Sequence, residues 1–187
     1  MIKPIEIINK YYSFNPFLKK ILLIHSENVK KKALEIAKKV PELNPNLKII
    51  EIGSMLHDIG IIKTYMGKLN PNKKKPYILH GIEGAKILDK EIKGNEKEIY
   101  KNICKNHIGV GISKEDIIKE NLPLPNKDFI PKTIEEEIIT LADKFYSKNP
   151  KTINKEESIE EIRKELEKYG NDKVKKFDQL LKKYKII

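Results

Sequence analysis

Apolar residues recur along most of the chain with the period of an α-helix. One apolar face, at positions i, i+4, i+7, i+8 and i+11, is formed by Val29, Ala33, Ile36, Ala37 and Val40. Similar patterns predict helices at about residues 46–58, from 80 onward and at about 95–107, and a capping-box pattern at Thr133 predicts a further helix start. No segment has a convincing strand pattern. The chain is therefore predicted to be an all-α helical bundle.

The last forty or so residues have a different character from the rest. Two charged amphipathic helices are predicted at about 155–169 and 172–185, and Gly170-Asn171 separates them. The second helix carries an apolar stripe that needs a surface to pack on, formed by Val174, Phe177, Leu181 and Tyr184. We therefore expect a main domain at residues 1–148 and a helical hairpin at residues 149–187 that packs on the same core.

The amino-acid composition indicates more about the cellular environment of the protein than about its function. The 187 residues carry a net charge of +11, which suits an anionic substrate, a nucleotide or a nucleic acid, or reflects a general lysine enrichment with no partner. Cys104 is the single cysteine, so no intrachain disulfide is possible and a cytoplasmic location is expected. The apolar run Ile21–Ile24 is too short for a membrane span. Abundant Lys, Glu and Ile are typical of proteins from hot environments, although an AT-rich genome gives a similar bias.

All the histidines of the chain, together with two aspartates, form a candidate metal centre. Their order is His25, His57-Asp58, His80, His107 and Asp143. The predicted helices place these residues on separate elements, and ligands from different helices converge in the centre of a bundle. Mixed imidazole and carboxylate ligation favours Mn, Fe, Co, Ni or Zn over Mg or Ca. The sequence therefore predicts a site for divalent transition-metal ions, with enough ligands for two.

This pattern resembles the HD superfamily of metal-dependent phosphohydrolases. Met55–Gly60, which reads MLHDIG, is similar to its HDIG variant, and the histidines of His80-Gly81 and Asn106-His107 are similar to the extra histidines of its binuclear members. The resemblance covers about residues 22–147 and is close to small archaeal HDIG-type proteins. It implies the helical bundle of the HD domain.

The resemblance also implies roles for the six residues. His25, His57, Asp58 and Asp143 would hold a first metal ion, and Asp58 would bridge to a second ion held by His80 and His107. A hydroxide between the two ions would be the nucleophile that attacks a phosphate. Asp58 and His57 are therefore expected to be catalytic as well as metal-binding.

Two lysines are candidates for contact with a phosphate group. Lys63 lies in the stretch Ile59–Ile82, which contains five lysines, no acidic residue and two interleaved tyrosines, Tyr65 and Tyr77. That stretch joins two ligand-bearing helices, so we expect it to line the substrate entrance; the alternative is a solvated loop. Lys144 directly follows Asp143 and could neutralise a phosphate, or it could be a surface lysine.

The predicted function is hydrolysis of a nucleotide or another phosphate ester. Two alternatives remain: an HD-fold diiron oxygenase, which uses the same ligands to hold iron, and a regulatory module that keeps a metal for structure. Ile61 stands where enzymes that cut cyclic dinucleotides have a lysine, which argues against such a substrate. Nucleic acid is possible but not favoured as a partner, because the C-terminal helices mix Lys and Glu. The sequence does not fix the substrate or the oligomeric state.

Overall fold

The computed structural model describes residues 2–187 and contains helices joined by turns and loops, with no sheet in that range. This confirms the predicted all-α class. The α-helices are α1 Pro4–Tyr12, α2 Pro16–Lys39, α3 Leu47–Leu56, α4 His80–Glu91, α5 Lys97–Asn106, α6 Lys114–Lys119, α7 Ile134–Asp143, α8 Ile159–Glu167 and α9 Asn171–Lys183. Short 3-10 turns lie at Pro41–Leu43, Ile59–Lys63 and Tyr77–Leu79.

Side-chain caps set the helix starts. The Asn15 side chain accepts a hydrogen bond from the Leu18 backbone N–H at 3.0 Å, and Thr133 caps α7 by accepting from the Glu136 N–H at 3.2 Å, as the sequence predicts. α8 begins at Ile159 rather than near residue 155. The reason is a capping box, in which Ser158 and Glu161 bond each other's backbone N–H groups. Residues just before Ser158 consequently stay outside the helix.

One large hydrophobic core runs through the bundle, and a small separate cluster is formed by Ile112, Ile117 and Phe129. Helix α2 packs against α3 and α7, while α4 packs against α5 and the 3-10 turn after Asp58. The C-terminal helices join the same core, because Phe177, Leu181 and Tyr184 are fully buried in it. The Phe177 ring lies 6.4 Å from that of Phe145, directly beyond α7. The hairpin therefore packs against the helix that carries Asp143.

Gly60 allows the chain after α3 to lie directly on α4. A Cβ atom at this position would be 2.0 Å from the His80 carbonyl oxygen and 2.2 Å from the Gly84 backbone nitrogen, distances that no side chain tolerates. The glycine therefore permits a backbone-to-backbone approach. It fixes His57 and Asp58, on one side, against His80 on the other.

No helix within residues 2–187 combines the length and the apolar character needed to cross a membrane.

Candidate metal centre

Five parts of the bundle bring six side chains to one buried point. The six are His25 in the middle of α2, His57 and Asp58 directly after α3, His80 at the first residue of α4, His107 directly after α5, and Asp143 at the last residue of α7. All six are buried. They are the residues that the sequence analysis selected, and the fold divides them into two sets that share Asp58.

The first set contains His25, His57, Asp58 and Asp143. His25 Nε2 lies 2.9 Å from Asp143 Oδ1, 3.2 Å from Asp58 Oδ2 and 3.3 Å from His57 Nε2. His57 Nε2 lies 3.3 Å from the same two carboxylate oxygens. Ligands about 2.1 Å from an ion are about 3.0 Å apart at right angles and about 3.4 Å apart in a tetrahedron. The spacing of these atoms fits one transition-metal ion.

The second set contains Asp58, His80 and His107. His80 Nε2 lies 3.1 Å from His107 Nε2 and 3.2 Å from Asp58 Oδ1, and His107 Nε2 lies 3.3 Å from that oxygen. Three ligand atoms at these separations could hold one ion and would leave some of its coordination positions to water or substrate. Asp58 uses Oδ2 toward the first set and Oδ1 toward the second.

Backbone carbonyls orient three of the four imidazole rings. His57 Nδ1 lies 2.7 Å from the Ser54 carbonyl oxygen, His80 Nδ1 lies 2.7 Å from that of Tyr77, and His107 Nδ1 lies 2.8 Å from that of Cys104. Each carbonyl belongs to the residue three positions earlier. A carbonyl can only accept, so Nδ1 carries the proton in the neutral ring and Nε2 keeps a free lone pair. Every one of these Nε2 atoms points at Asp58.

The clustered donor atoms are better suited to binding a metal ion than to hydrogen-bonding one another. Asp58 is fully buried: within residues 2–187 the Lys148 ammonium lies 2.8 Å from its Oδ2, while Oδ1 has only the imidazole nitrogens of His80 and His107 near it, at 3.2 and 3.3 Å and without hydrogen-bond geometry. A buried carboxylate oxygen without a hydrogen-bond partner is costly unless a cation binds it. Imidazole nitrogen and carboxylate oxygen are also the ligands of transition metals. These residues therefore fit divalent metal ions, and Asp58 belongs to both sets.

Burial and the charges of neighbouring side chains set the protonation states of the clustered residues. Burial lowers the pKa of His57, but the adjacent Asp58 and Asp143 carboxylates outweigh burial and raise it to about 10. Burial dominates at His107 and lowers its pKa to about 4. Burial raises the pKa of Asp58 and of Asp143, but the nearby Lys148 ammonium and the imidazoles hold both well below the usual range. Both carboxylates are consequently ionised and ready to bind cations.

Lys148 is a member of this centre that the sequence analysis missed. Its Nζ lies 2.8 Å from Asp58 Oδ2 and 3.3 Å from Asp143 Oδ1. Burial lowers the pKa of Lys148, but these two carboxylates raise it well above the ordinary value. Lys148 follows α7 in an irregular segment, so no helical spacing links it to Asp143. Its position in the sequence does not distinguish it from the many other lysines.

A cavity of about 890 Å³ opens beside the centre. His80, His107, Asp143 and Lys148 form its inner end. The remaining wall is largely apolar and is completed by the C-terminal helices, and it includes Tyr65, Tyr77, Ile78, Leu122, Leu166 and Tyr169. The cavity therefore connects the predicted metal ligands to a space that can hold an organic group.

The two lysines selected from the sequence lie in different places. Lys144 lines the cavity, and its Nζ lies 4.0 Å from Glu165 Oε1. Lys63 is exposed, does not line the cavity and lies 6.0 Å from the centre of the Tyr11 ring. Of its cation-rich stretch, Tyr65 and Tyr77 reach the cavity and the lysines do not. A phosphate contact by Lys144 stays a prediction, and the position of Lys63 gives it no support.

Comparison with curated proteins finds archaeal relatives. The chain is 30% identical over 160 residues to a Thermoplasma volcanium protein named tRNA (cytidine(56)-2'-O)-methyltransferase, and 35% identical over 127 residues to its Picrophilus torridus namesake. These alignments cover 86% and 68% of this chain but only 41% and 32% of the relatives. An uncharacterised Methanocaldococcus jannaschii protein is 35% identical over 127 residues, covering 63% of this chain and 66% of that protein. Archaeal relatives are consistent with the thermophile-like composition.

Solved structures and a family profile agree on the fold. Two crystal structures of the HD domain of the L. monocytogenes phosphodiesterase PgpH, one in complex with cyclic-di-AMP, superpose with TM-scores of 0.55 and 0.54 at 17% and 18% identity. Each superposition covers 94% of this chain, and 94% and 93% of the respective solved chains. The sequence profile described as HD domain matches residues 22–148, the segment that carries all six clustered ligands. The chain belongs to the HD domain family.

Proposed function

We propose that the protein hydrolyses a phosphate ester, with a nucleotide or another phosphorylated small molecule as substrate. Membership of the HD domain family, and the fold shared with a phosphodiesterase HD domain, support a metal-dependent phosphohydrolase at the level of the family. The observation that carries the proposal is the buried Asp58 carboxylate, which has one oxygen in each of two ligand sets at the end of an open cavity.

The ligand sets explain how the reaction would be driven. Two bound divalent ions would lower the pKa of a water between them and stabilise the charge that develops on the phosphoryl group. His25, His57, Asp58 and Asp143 would hold one ion, and Asp58, His80 and His107 the other. The carbonyls of Ser54, Tyr77 and Cys104 keep three of the imidazoles in the ligating tautomer. The protein thereby supplies a rigid frame in which little must move during reaction.

Lys148 would bind the phosphate group directly. In the metal-free protein its ammonium lies on the carboxylates of Asp58 and Asp143. Ions bound to those carboxylates would neutralise them and repel Lys148, which also lines the cavity. A phosphate oxygen at the inner end of the cavity is then the natural new partner, because Lys144 and Lys173, the other lysines of the lining, already pair with Glu165 and Asp116.

The outer part of the cavity suits an organic substituent on the phosphate. Ile78, Leu122 and Leu166 give it an apolar wall, and the Tyr65 and Tyr169 rings lie at its exposed edge. A nucleobase or a comparable flat group would pack there. The L. monocytogenes neighbour crystallised with cyclic-di-AMP, a nucleotide, supports this substrate class. The methyltransferase names of two relatives are not carried over, because this chain matches less than half of each relative.

Metal analysis combined with a substrate screen tests the proposal. Purified protein would be stripped with a chelator, reloaded separately with Mn, Fe, Co, Ni and Zn, and assayed on phosphomonoesters, phosphodiesters and nucleotides. We expect metal-dependent release of a phosphate product. Asp58→Asn should lose bound metal and lower activity by more than the roughly 10–100-fold typical of residues that only support ligands. Asp89→Asn, on the exposed surface of α4, is the matched control and should behave as wild type.

Two outcomes would contradict the proposal. One is full metal content and full activity in Asp58→Asn. The other is stoichiometric iron with a mixed-valence spectroscopic signal and no hydrolysis of any phosphate ester, which would point to oxygenase chemistry on the same ligands.

A further inference from the structure

The two longest segments of the chain without an acidic residue both contain lysine. Residues 7–26 carry Lys10, Lys19 and Lys20, and residues 59–82 carry Lys63, Lys68, Lys73, Lys74 and Lys75. Shorter segments of this kind lie at residues 99–114 and 144–155, and most of the remaining chain mixes both signs of charge. Segments of one sign have a function only if the fold brings them to one surface.

The fold does bring the two segments together. The Asn15 side-chain amide donates a hydrogen bond to the Leu69 carbonyl oxygen at 3.3 Å. The Lys73 ammonium lies 5.9 Å from the centre of the Phe14 ring, and Lys63 lies 6.0 Å from that of Tyr11. The loop before α4 therefore lies against the start of α2. We call the combined surface of residues 14–20 and 63–74 the lysine–aromatic face.

The lysines of this face lack carboxylate partners within the described residues. Lys10 and Lys75, at its edges, pair with Glu91 and Glu83 at 2.7 and 2.8 Å. Within residues 2–187, no carboxylate forms an ion pair with the lysines of the face itself, namely Lys19, Lys20, Lys63, Lys68, Lys73 and Lys74. The face is therefore a concentrated positive surface rather than a set of neutralised ion pairs.

Large aromatic side chains project from the same surface. Phe14, Phe17 and Tyr65 are 67%, 56% and 50% exposed. Phe17 and Lys20 are one turn apart on the exposed side of α2. Tyr65 also lines the cavity beside the metal ligands. The face therefore combines phosphate-binding cations with flat apolar rings, and it continues into the candidate active site.

We propose that the lysine–aromatic face binds single-stranded nucleic acid. Lysines that follow a phosphate backbone, together with exposed rings on which unpaired bases stack, are the combination that such binding needs. Continuity at Tyr65 would allow the end of a bound strand to enter the cavity. Only this last step rests on the proposed hydrolytic function, because binding to the face needs no reaction.

The chemistry favours a single strand over the alternatives. Paired bases of a duplex hide the faces on which Phe14 and Phe17 would stack. An anionic membrane would also attract lysines and aromatic rings. However, a membrane cannot follow the surface into a cavity of about 890 Å³, which Tyr65 connects to the face. A flexible strand can use both features.

Fluorescence anisotropy with labelled 12-nucleotide single-stranded RNA and DNA tests the proposal, using the metal-free protein. The triple variant Lys68→Glu/Lys73→Glu/Lys74→Glu should weaken binding at least 10-fold. It should also reduce the magnitude of the slope of log K against log salt concentration by about 2. Each of the three lost phosphate contacts contributes about 0.7 to that slope on a single strand. Phe14→Ala/Phe17→Ala should weaken binding about 5-fold or more, with little change in the salt slope.

Matched variants separate the face from general charge. Lys38→Glu/Lys39→Glu changes exposed lysines on the same helix α2, about 27 Å from Lys20 at 1.5 Å per residue. Leu47→Ala removes an apolar side chain that is 47% exposed. Both should bind the strands nearly as wild type. Thermal unfolding of every variant would confirm that it is folded.

The outcomes are decisive in either direction. The proposal is overturned if the face variants and the control variants weaken binding equally, if duplexes bind as tightly as single strands, or if phosphatidylserine vesicles bind while nucleic acid does not. Asp58→Asn should retain strand binding. If Asp58→Asn and wild type both bind strands but neither hydrolyses any ester, the proposed function fails while the binding surface stands.

Discussion

Lysine side chains have opposite environments at the two ends of one continuous surface. Lys148 is partly buried, with a side chain that is 16% exposed, and lies against the carboxylates of Asp58 and Asp143, while Lys68 and Lys74 are exposed and have no acidic partner. A buried ammonium is stable only where opposite charge meets it. An exposed ammonium is stable in water and remains available to a partner. Location in the fold, rather than residue type, therefore decides whether a lysine serves the metal centre or a surface.

The same contrast applies to the carboxylates. Asp58 and Asp143 are ionised under the influence of Lys148 and the imidazoles, and they attract cations to the centre. The lysine–aromatic face contains no carboxylate. A phosphorylated polymer would be drawn to the face, and only a metal-loaded centre would attract its phosphate further inward. Under the two proposals, one region would bind the substrate and the other would carry out the chemistry, and separate substitutions can address each.

The largest effect is expected where the metal centre depends on backbone packing. Gly60→Ala would place a Cβ 2.0 Å from the His80 carbonyl oxygen, so the turn after Asp58 and the start of α4 must separate. We expect a loss of about 3 kcal/mol or more in the free energy of unfolding, measured by urea denaturation of metal-free protein. The folded fraction should also bind less metal, because His80 moves away from Asp58.

Gly84→Ala is the control for this substitution. It lies in the same contact between α4 and the turn, but its nearest neighbours would be Cys104 Sγ and the Gly60 backbone nitrogen, both at 3.3 Å, so a shift of a few tenths of an ångström is enough. Its cost should be smaller, within the 1–3 kcal/mol of ordinary overpacking. Equal unfolding free energies for Gly60→Ala and wild type would show that the close backbone approach does not hold the centre together.

The fold and the ligand set could be predicted from sequence because both depend on local signals. Helical periodicity gives the bundle, Thr133 caps α7 where expected, and the HD pattern selects ligands that lie together. The start of α8 was predicted about four residues too early, because charged residues continue the helical pattern before Ser158. Sequence periodicity cannot show which of several polar residues takes the cap.

The lysines could not be assigned from sequence for a physical reason. Lys144 was selected for its position next to Asp143, but adjacent residues of a helix point about 100° apart, and its Nζ faces Glu165. Lys148 reaches both carboxylates through an irregular turn that has no period. The cation-rich stretch does line the cavity, through Tyr65, Tyr77 and several apolar residues, but its lysines do not. Side-chain direction in loops depends on tertiary packing.

Substitutions of intermediate expected effect compare Lys148, which lies on the metal ligands, with Lys144, which pairs with Glu165. Lys148→Met should retain the metal ions, since the six ligands remain and a competing cation is lost. Its kcat/KM on a phosphate ester should fall by about 10²–10³, the usual cost of removing one preorganised donor to a developing oxyanion. Steady-state kinetics and metal content on the same sample would measure both.

Lys144→Met is the matched comparison, because both lysines line the cavity. If Lys148 is the phosphate ligand, Lys144→Met should lose less than about tenfold in kcat/KM. A larger loss in Lys144→Met than in Lys148→Met would reverse the assignment and restore the role predicted from sequence. Loss of metal in Lys148→Met would instead make Lys148 a structural support of the ligands.

The smallest effect is expected at the edge of the lysine–aromatic face, where Glu83 accepts hydrogen bonds from Lys75 and Lys86, both at 2.8 Å. Burial raises the pKa of Glu83, but these two ammonium groups outweigh burial and lower it. Folding therefore favours the ionised form. That stabilisation is present above the unfolded pKa of about 4.3 and is lost as pH falls through the lower folded pKa. Glu83→Gln should cost about 1 kcal/mol or less at pH 7.

The pH dependence distinguishes this ion pair from a simple packing effect. The difference in unfolding free energy between wild type and Glu83→Gln should shrink as pH falls from 6 to 3, whereas exposed Glu51→Gln should show little difference at any pH. A constant difference across that range would mean that packing, not charge, is lost. Glu83→Gln also frees Lys75 from its ion pair, so it should add one unpaired lysine to the face and tighten single-strand binding. Lys75, at the edge of the face, would then resemble the unpaired lysines at its centre.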